Sequence, residues 1–374
     1  MAEQKRVAIV TGQLVVGGAE RQLYLWLQNM DRSRFSPLVI TLHPNHNDYW
    51  ESPLEALGVP LVRIPESTNK FSRLAKVFSA VKAFAPDLVQ GWHLFASPYA
   101  GLVGKWLRKP SLGGFRDSYP IFKHQPLEGN LAVHLTDAML INSETTARSL
   151  RAQYPHKADK IFAVQNAIVD DFIARGDARN HLRELFGLDD EKIWIGTIGR
   201  LDPKKRFDLY VQLASSLRDF PVQFLLIGDG PEKDKLEMRA TELGLGNRLI
   251  FTGEIPNAAR WMKGLDIFSF TSYDEGMPNV VMEAGAAGLP VVTWDLPFYR
   301  EILPSAQLAC LVPPGDLEQM KFCLSNLINS PTEREKLGKA AQAHILQTFG
   351  LDRYVSRMTG LYDHLLEQSK KALS

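Results

Sequence analysis

The stretch "DIFSFTSYDEGMPNVVMEAGAAGLPVVTW", residues 266–294, carries the pattern that decides the fold. Its first segment, "DIFSFTS", is a short apolar run typical of a buried strand, and Pro278 suits the first turn of a helix. Gly288 and Pro290 end that helix before "LPVVTW" starts a second strand. Two strands joined through a helix are typical of parallel sheets, so this stretch predicts an α/β fold.

The same alternation of apolar strands and amphipathic helices extends in both directions along the 374 residues. A first block contains the strand-like runs "RVAIVTG", "SPLVITL", "VPLVRI", "DLVQGW", "SLGGF", "AMLIN" and "KIFAVQN". A second block contains "IWIGTIG", "VQFLLIG", "RLIFTG", "DIFSFTS", "LPVVTW" and "LACLV". The chain length also favours two domains. We therefore predict two doubly wound parallel-sheet domains.

The boundary between the blocks lies in residues 166–192, where hydrophobic periodicity is weakest. We place the first domain at residues 1–170 and the second at 171–350. An amphipathic helix over residues 351–374 follows the last strand, and its pattern alone allows it to pack on either domain.

The composition is that of an ordinary globular protein, with 45% hydrophobic and 23% charged residues. Nowhere do about 18 uninterrupted apolar residues occur, so we predict no membrane-spanning segment. The N-terminal run "VAIVTGQLVVGG" predicts a buried strand and a glycine loop instead of a signal peptide. The two cysteines, Cys310 and Cys323, are too few for a disulfide framework. A cytoplasmic protein is the expectation.

The first part of the chain is net basic because it contains fewer acidic residues than the rest. Residues 1–165 carry 19 Lys and Arg against 13 Asp and Glu, and the remainder carries 24 against 29. Within this part, residues 69–84 predict an amphipathic helix. Its apolar stripe is Phe71, Leu74, Val77, Phe78 and Val81, and its basic residues are Lys70, Arg73, Lys76 and Lys82. A solvated basic face on a packed helix is the favoured interpretation, and peripheral contact with an anionic membrane is the alternative.

Ligands of such sheets bind at the carboxyl ends of the strands, so residues that directly follow strands are the informative ones. Gly17 and Gly18 follow the first strand and precede a helix. Paired glycines allow close approach of the backbone to a phosphate, and a helix N-terminus offers unpaired N–H groups. A tight turn explains the pair equally well. Neither the dinucleotide G-x-G-x-x-G nor the P-loop motif is present, so nicotinamide and ATP sites lack their fingerprints.

Arg200 and Lys205 lie in "IGTIGRLDPKKRFD", just after the first strand of the second block. A guanidinium fork and a lysine point charge could clamp a diphosphate between them. The alternative is a solvated basic loop. A glycine turn, "LIGDGP", ends the next strand of the block.

Glu275 and Glu283 flank the start of the helix in the opening stretch. Carboxylates accept paired hydrogen bonds from vicinal hydroxyls, such as those of sugars and ribose. Favourable acid placement near a helix N-terminus explains Glu275 on its own, but it explains Glu283 poorly, because that residue lies beyond the first turn.

His93 in "VQGWHLFAS" and Arg116 in "GGFRDS" follow strands of the first block. His93 could contact a substrate hydroxyl or take part in proton transfer, although packing is the commoner role of a lone histidine. Arg116 is a candidate contact for an acceptor or a phosphate. No H-E-x-x-H, C-x-x-C or D-x-D motif occurs, so no metal site is predicted.

Taken together, the glycine pair, the Arg-x4-Lys, the "IGDGP" turn and the Glu-x7-Glu resemble the retaining GT-B glycosyltransferases of family 4. The resemblance implies two Rossmann-like domains that face each other across a cleft, with the final helix crossing back onto the first domain. It also implies a nucleotide-diphosphate sugar as co-substrate, and neither a cofactor nor a metal.

By this resemblance, Arg200 and Lys205 bind the donor diphosphate, Glu275 binds the transferred sugar and Glu283 binds the ribose. His93 lies beside the donor sugar. The implied catalytic residues are His93, Arg200, Lys205 and Glu275. The implied donor-binding residues are Gly17, Gly18, Arg200, Lys205, Glu254, Ile255, Glu275, Gly276, Met277, Pro278, Asn279 and Glu283, with the base near Glu254 and Ile255. One departure is Arg206, where the family often has glycine.

The predicted function is transfer of a hexose or N-acetylhexosamine from a nucleotide-diphosphate sugar to a saccharide or lipid-linked acceptor, with no nucleic-acid partner. Two alternatives remain open at this point. A nucleotide-sugar 2-epimerase has a similar architecture and acts on the donor alone. A non-catalytic nucleotide-sugar-binding protein would use the same residues for recognition only.

Overall fold

A computed structural model describes residues 4–44, 48–65, 69–255 and 257–373. The chain divides into two compact units. We call them the N unit, which comprises Met1–Ala167 with Leu351–Ser374, and the C unit, which comprises Ile168–Gly350.

The N unit contains a seven-stranded parallel sheet with strand order β3-β2-β1-β4-β5-β6-β7. Its strands are β1 (Lys5–Thr11), β2 (Phe35–Thr41), β3 (Leu61–Arg63), β4 (Leu88–Gly91), β5 (Ser111–Phe115), β6 (Ala138–Ile141) and β7 (Ile161–Ala163). Its helices are α1 (Gly18–Asn29), α2 (Glu51–Ala56), α3 (Lys70–Phe84), α4 (Ser97–Leu107), α5 (Tyr119–His124), α6 (Pro126–Leu135), α7 (Glu144–Gln153) and α15 (Leu351–Leu373).

The C unit contains a six-stranded parallel sheet with strand order β10-β9-β8-β11-β12-β13. Its strands are β8 (Ile193–Ile198), β9 (Val222–Ile227), β10 (Leu249–Gly253), β11 (Ile267–Phe270), β12 (Val291–Trp294) and β13 (Cys310–Val312). Its helices are α8 (Arg175–Phe186), α9 (Phe207–Ser216), α10 (Lys233–Glu242), α11 (Asn279–Ala286), α12 (Pro297–Ile302), α13 (Leu317–Asn329) and α14 (Pro331–Phe349).

Buried apolar residues explain why the strands form as they do. Every residue of β9 and of β12 is buried, as expected for parallel strands covered on both faces by helices. Each of the thirteen apolar runs identified in the sequence forms one of the thirteen strands found in the described ranges. The prediction of two Rossmann-like parallel sheets is confirmed.

Both sheets reverse their strand order at one point. In the N unit the reversal falls between β1 and β4, and in the C unit it falls between β8 and β11. At such a point the loops leave neighbouring strands toward opposite faces of the sheet, which opens a crevice at the carboxyl edge where ligands bind. We therefore expect ligand-binding residues on the loops that follow β1, β4, β8 and β11.

The final helix, α15, packs on the first helix of the N unit. The Trp26 indole Nε1 donates to the Tyr362 hydroxyl at 3.1 Å, and the two rings meet edge to face at 5.3 Å. The Tyr362 hydroxyl donates in turn to Gln90 on β4. Buried polar contacts of this kind give α15 a definite register against the sheet.

Helix α3 covers the stretch predicted to be an amphipathic helix, but one member of its apolar stripe is not in the core. Val77 and Val81 are fully buried, whereas Phe71 in the first turn is 87% exposed. The prediction that Phe71 belongs to the packed stripe is wrong, because the first turn of α3 precedes the turns that pack on the sheet. None of the helices in the described ranges has both the length and the apolar character needed to cross a bilayer.

Candidate functional site

In the C unit, the loops that follow β8 and β11 are tied together by hydroxyl groups. The Thr271 hydroxyl donates to the carbonyls of Lys205 at 3.2 Å and of Arg206 at 3.0 Å. The Ser272 hydroxyl donates to the Lys204 carbonyl at 3.3 Å. These bonds explain why the two loops at the sheet's switch point hold a fixed relative position.

Lys205 and Glu275 form an ion pair across these two loops. The Lys205 Nζ lies 2.5 Å from the Glu275 Oε1, and the two side chains are only 16% and 11% exposed. The ammonium also lies 5.4 Å from the centre of the Phe270 ring, close enough for a cation–π contact. Glu275 therefore has a partner within the protein. The ion pair gives Glu275 a role that does not depend on a ligand.

Tyr299 lies buried near the carboxylate of Glu275. Its hydroxyl donates to the Ser272 carbonyl at 2.9 Å. Burial, and then the negative charge of Glu275, raise the pKa of Tyr299 well above the ordinary range. The phenol is therefore a neutral donor that supports the loop behind the ion pair.

Arg200 lies on the loop after β8 with its side chain 73% exposed. Its Nε is 3.4 Å from the Asp202 Oδ1. The loop rests on the glycine turn after β9, where the Leu201 N–H donates to the Asp229 carbonyl at 2.9 Å. Gly228 in that turn has φ 140°, and a Cβ there would lie 2.1 Å from the Gly199 oxygen. Only glycine permits this approach.

Arg206 has φ 52°, in the left-handed region. This conformation favours glycine, which gives a physical reason for the glycine often found at this position in the family that the sequence resembles. The Arg206 side chain makes two hydrogen bonds of 2.9 Å to the Asp208 carboxylate, and these bonds raise its pKa. The arginine is therefore held on the helix side of the loop.

The remaining predicted donor-binding residues of the C unit lie on the same carboxyl edge of the sheet. Glu283 is on the second turn of α11 and is 7% exposed. Gly276, Met277 and Pro278 are buried in the loop before α11, and Asn279 is its first residue. Glu254 is exposed and Ile255 is half-buried after β10.

In the N unit, His93 lies at the switch point and both of its ring nitrogens are engaged. Nδ1 lies 3.1 Å from the Thr11 hydroxyl at the end of β1, and Nε2 lies 3.2 Å from the Glu20 Oε1 on α1. The Phe95 ring stacks nearly parallel to the imidazole with centroids 5.6 Å apart. The imidazole is therefore oriented by contacts from β1, from α1 and from the loop after β4.

Gly17 is the N-cap of α1 and Gly18 is its first residue. Gly17 has an extended backbone that any residue adopts, so a turn does not require glycine there. A Cβ at Gly17 would instead lie 2.2 Å from the Glu20 Oε2. Within the N unit, the neighbour that Gly17 accommodates is therefore the Glu20 carboxylate.

Arg116 directly follows β5, and its guanidinium lies 3.5 Å above the centre of the Trp92 ring. Its Nε and Nη1 are buried and make no hydrogen bond to any residue in the described ranges. Burial lowers the pKa of Arg116, and the nearby Tyr354 hydroxyl opposes that shift. The structure places this predicted contact residue between the sheet and α15.

Two residues of this arrangement were missed by our sequence analysis. Thr11 is fully buried at the end of a strand and looks like a core residue, and Glu20 looks like an ordinary acid in a helix's first turn. The position of Glu20 three residues after Gly17 is the signal that could have identified it.

A cavity of about 610 Å³ lies elsewhere in the N unit, between β7, α7 and α15. Arg151 lines it, but its guanidinium is already bound to Glu144 at 2.6 Å and to the Ile161 carbonyl at 2.9 and 3.0 Å. The predicted residues do not lie in this cavity.

Two Rossmann-like parallel sheets, each with charged or polar residues on its switch-point loops, are the architecture of the GT-B glycosyltransferases. The model of the family "Glycosyltransferase Family 4" matches residues 16–172, and the model of "Glycosyl transferases group 1" matches residues 178–344. The chain is a GT-B glycosyltransferase, and its two parts match these two family models. The predicted class of enzyme is confirmed, which leaves the epimerase and the non-catalytic binding protein without support.

The following relatives share these features at low sequence identity. The GDP-mannose-dependent alpha-mannosyltransferase of Mycobacterium tuberculosis is 26% identical over 383 residues, covering 91% of this chain and 92% of that protein. The lipopolysaccharide core biosynthesis glycosyltransferase LpsD of Rhizobium meliloti is 22% identical, covering 79% of this chain and 81% of LpsD. The crystal structure of Anabaena HepE in complex with UDP-glucose superimposes with a TM-score of 0.86 at 20% identity, covering 96% of this chain and 100% of HepE.

Proposed function

We propose that the protein transfers a hexose or N-acetylhexosamine from a nucleotide-diphosphate sugar to a saccharide or lipid-linked saccharide acceptor. The observation that carries the proposal is the Lys205–Glu275 pair at the switch point of the C unit, with Arg200 exposed on the same loop. An ammonium, a carboxylate and an exposed guanidinium together suit a ligand that has both a diphosphate and hydroxyl groups.

The chemistry requires stabilisation of a leaving group that gains negative charge as the anomeric bond breaks. Arg200 offers a planar pair of donors for two phosphate oxygens, and Lys205 offers a compact charge. Both would act in the transition state, where the charge on the diphosphate is greatest. Glu275 would accept hydrogen bonds from hydroxyls of the transferred sugar, and Glu283 from those of the ribose.

Two finer features of the proposal come from the resemblance to family 4. Transfer proceeds with retention, and the leaving phosphate takes the proton of the acceptor hydroxyl on the same face of the sugar. Departure is assisted by the cations Arg200 and Lys205 together with helix N–H groups, and the resemblance implies that no metal takes part. Gly17, Gly18 and His93 would contribute from the N unit, with the base of the nucleotide near Glu254 and Ile255.

The named relatives support a nucleotide sugar as the donor. HepE has been crystallised with UDP-glucose, and the mycobacterial relative is named as dependent on GDP-mannose. A saccharide acceptor is supported by relatives named for lipopolysaccharide core biosynthesis.

The decisive experiment is the double variant Arg200→Ala with Lys205→Ala, assayed for release of nucleoside diphosphate and for glycosylated product with a panel of donors and acceptors. Transfer should be abolished and binding of the diphosphate strongly weakened. The matched control is Lys204→Ala, which removes a neighbouring positive charge from the same loop. Full activity in the double variant would refute the proposed site, and NMR of the product's anomeric proton would test retention. Activity that survives prolonged treatment with EDTA would support the metal-independent part.

A second proposal concerns where the acceptor is met, at the cytoplasmic face of a membrane. The N unit exposes Phe71 at 87% and Trp106 at 56%, and the Phe78 ring on the helix of Phe71 lies 5.5 Å from that of Trp106. Exposed aromatic rings beside Lys70 and Lys76 fit peripheral contact with anionic lipid headgroups.

We expect the wild-type protein to sediment with vesicles that contain anionic lipid. Replacing Phe71 by serine together with Lys76 by glutamate should abolish sedimentation and leave transfer to a soluble acceptor unchanged. Equal sedimentation of this variant would refute the membrane proposal.

A further inference from the structure

We propose that Glu20 is a positioning residue that keeps a proton on Nε2 of His93, so that His93 acts as a hydrogen-bond donor from that nitrogen and does not act as a base. Only the predicted effect of Glu20 on sugar transfer rests on the proposed function. The arrangement itself is a property of the free N unit.

The argument starts from the two partners of the imidazole. An ionised carboxylate can only accept hydrogen bonds, so a contact of 3.2 Å between Glu20 Oε1 and Nε2 requires a proton on Nε2. In a neutral imidazole the other nitrogen, Nδ1, is then an acceptor. The Thr11 hydroxyl lies 3.1 Å from Nδ1 and can donate to it. The basic nitrogen is thereby covered by Thr11.

The ring has little freedom to escape this arrangement. Thr11 is fully buried at the end of β1, and the side chain of His93 is only 18% exposed. The Phe95 ring lies nearly parallel to the imidazole with centroids 5.6 Å apart, and its Cζ lies 2.5 Å from where a Cβ of Gly12 would be. Rotation of the imidazole would break both nitrogen contacts at once.

Gly17 fits the same arrangement. Its backbone is extended, so alanine is allowed there by conformation, but a methyl group would lie 2.2 Å from Glu20 Oε2. The carboxylate also lies at the N-terminus of α1, where an anion is favoured. We therefore infer that Gly17 is small in order to leave room for the Glu20 carboxylate.

The tautomer can be measured without any substrate. Protein labelled with ¹⁵N in its histidine rings gives two-bond ¹H–¹⁵N correlations that distinguish the two neutral tautomers, and loss of one set in His93→Gln assigns His93. At pH 8 we expect the wild-type signal of the Nε2–H form. In Glu20→Ala the Nδ1–H form should become populated, because Thr11 can then accept from Nδ1. Glu20→Gln should retain the Nε2–H form through its carbonyl oxygen.

Three further variants sharpen the test. Glu144→Ala removes an acid from the first turn of α7 in the same unit and should leave the His93 signal unchanged. Thr11→Val should keep the Nε2–H form, because Glu20 still accepts. Gly17→Ala should behave like Glu20→Ala. An unchanged signal in Gly17→Ala would overturn the role given to Gly17.

The proposal as a whole would be overturned by an Nδ1–H form in the wild type, by an unchanged tautomer in Glu20→Ala, or by a Glu20→Gln spectrum equal to that of Glu20→Ala. In the transfer assay, Glu20→Ala should lose at least about tenfold in kcat, with a smaller change in the donor KM, and Glu20→Gln should recover most of the loss. Absence of transfer in the wild type would refute the proposed function and leave the tautomer result standing.

Discussion

Replacing Glu275 by glutamine should make the protein bind a nucleoside diphosphate more tightly while it transfers sugar more slowly. The carboxylate holds Lys205 at 2.5 Å, so a diphosphate that contacts this ammonium must approach the same negative charge. The substitution keeps the shape and a hydrogen-bond acceptor and removes only the charge. Binding of the product-like ligand and turnover should therefore change in opposite directions.

The magnitude follows from the geometry of the pair. A phosphate oxygen about 3 Å from Nζ lies about 5 Å from the carboxylate, and two unit charges at that distance repel by about 3 kcal/mol at an effective dielectric constant of about 20. Exposures of 16% for Lys205 and 11% for Glu275 allow solvent to screen part of this repulsion. We expect about half of it, roughly 1.5 kcal/mol, which corresponds to about tenfold in the dissociation constant.

The assay is calorimetric titration of Glu275→Gln and wild type with the nucleoside diphosphate that stabilises the protein most, followed by steady-state transfer. Turnover should fall by about tenfold or more, because a neutral amide accepts sugar hydroxyl bonds more weakly than a carboxylate does. The matched control is Asp208→Asn. Asp208 is paired with Arg206, the residue that directly follows Lys205, so this variant removes a nearby carboxylate that does not contact Lys205. Diphosphate binding that is weaker than in wild type, or equal within twofold, would refute the electrostatic reasoning.

Other expectations concern the supporting residues. Arg200→Ala should cost about 1.5–3 kcal/mol of transition-state stabilisation, which lowers kcat/KM for the donor by roughly ten- to 150-fold. The urea midpoint should stay unchanged, since the side chain is 73% exposed. Tyr299→Phe should lower the free energy of unfolding by about 1–2 kcal/mol in urea titrations, because the Ser272 carbonyl loses a buried donor. Burial raises the pKa of Tyr299 and of Tyr210 above the unfolded value of about 10. The contribution of these two phenols to stability is therefore complete below pH 10 and falls as the pH rises further. Urea midpoints from pH 8 to 11 measure this loss of stability. The correct nucleoside diphosphate at 100 times its dissociation constant should stabilise the protein by about 2.7 kcal/mol in thermal unfolding.

Much of the fold could be predicted from the sequence because parallel strands covered by helices on both faces are continuous apolar runs. The run "VQFLLI" becomes β9 with every residue buried. Periodicity does not specify strand order, because the order depends on which apolar faces pack together in three dimensions. It also fails at helix ends, as Phe71 illustrates, because a helix can extend past the sheet that buries its other turns.

The contents of the candidate site were predictable only in part. Strand ends predicted His93 as a candidate in the N unit, and Arg200 and Glu275 as candidates in the C unit, because parallel strands bring their carboxyl ends to one edge of a sheet. The partner of each could not be predicted in this way. Lys205 meets Glu275 across 70 residues of chain, and His93 meets Glu20 across a comparable distance, and no local pattern specifies such pairs.

These two pairs have a common feature that bears on function. In each unit an acid holds a nitrogen-bearing side chain at the switch point, with exposures of 18% or less. A largely buried contact to a carboxylate is weak evidence for stability, because loss of hydration offsets much of the electrostatic attraction, and apolar residues of similar volume often stabilise as well. Stability alone therefore gives little reason for acidic residues at positions 20 and 275. Orientation gives a better one, since a lysine or an imidazole fixed before the ligand arrives needs no reorganisation when charge develops in the transition state. We therefore infer that Glu20 and Glu275 have the same role, which is to fix the orientation of His93 and Lys205 before the ligand binds.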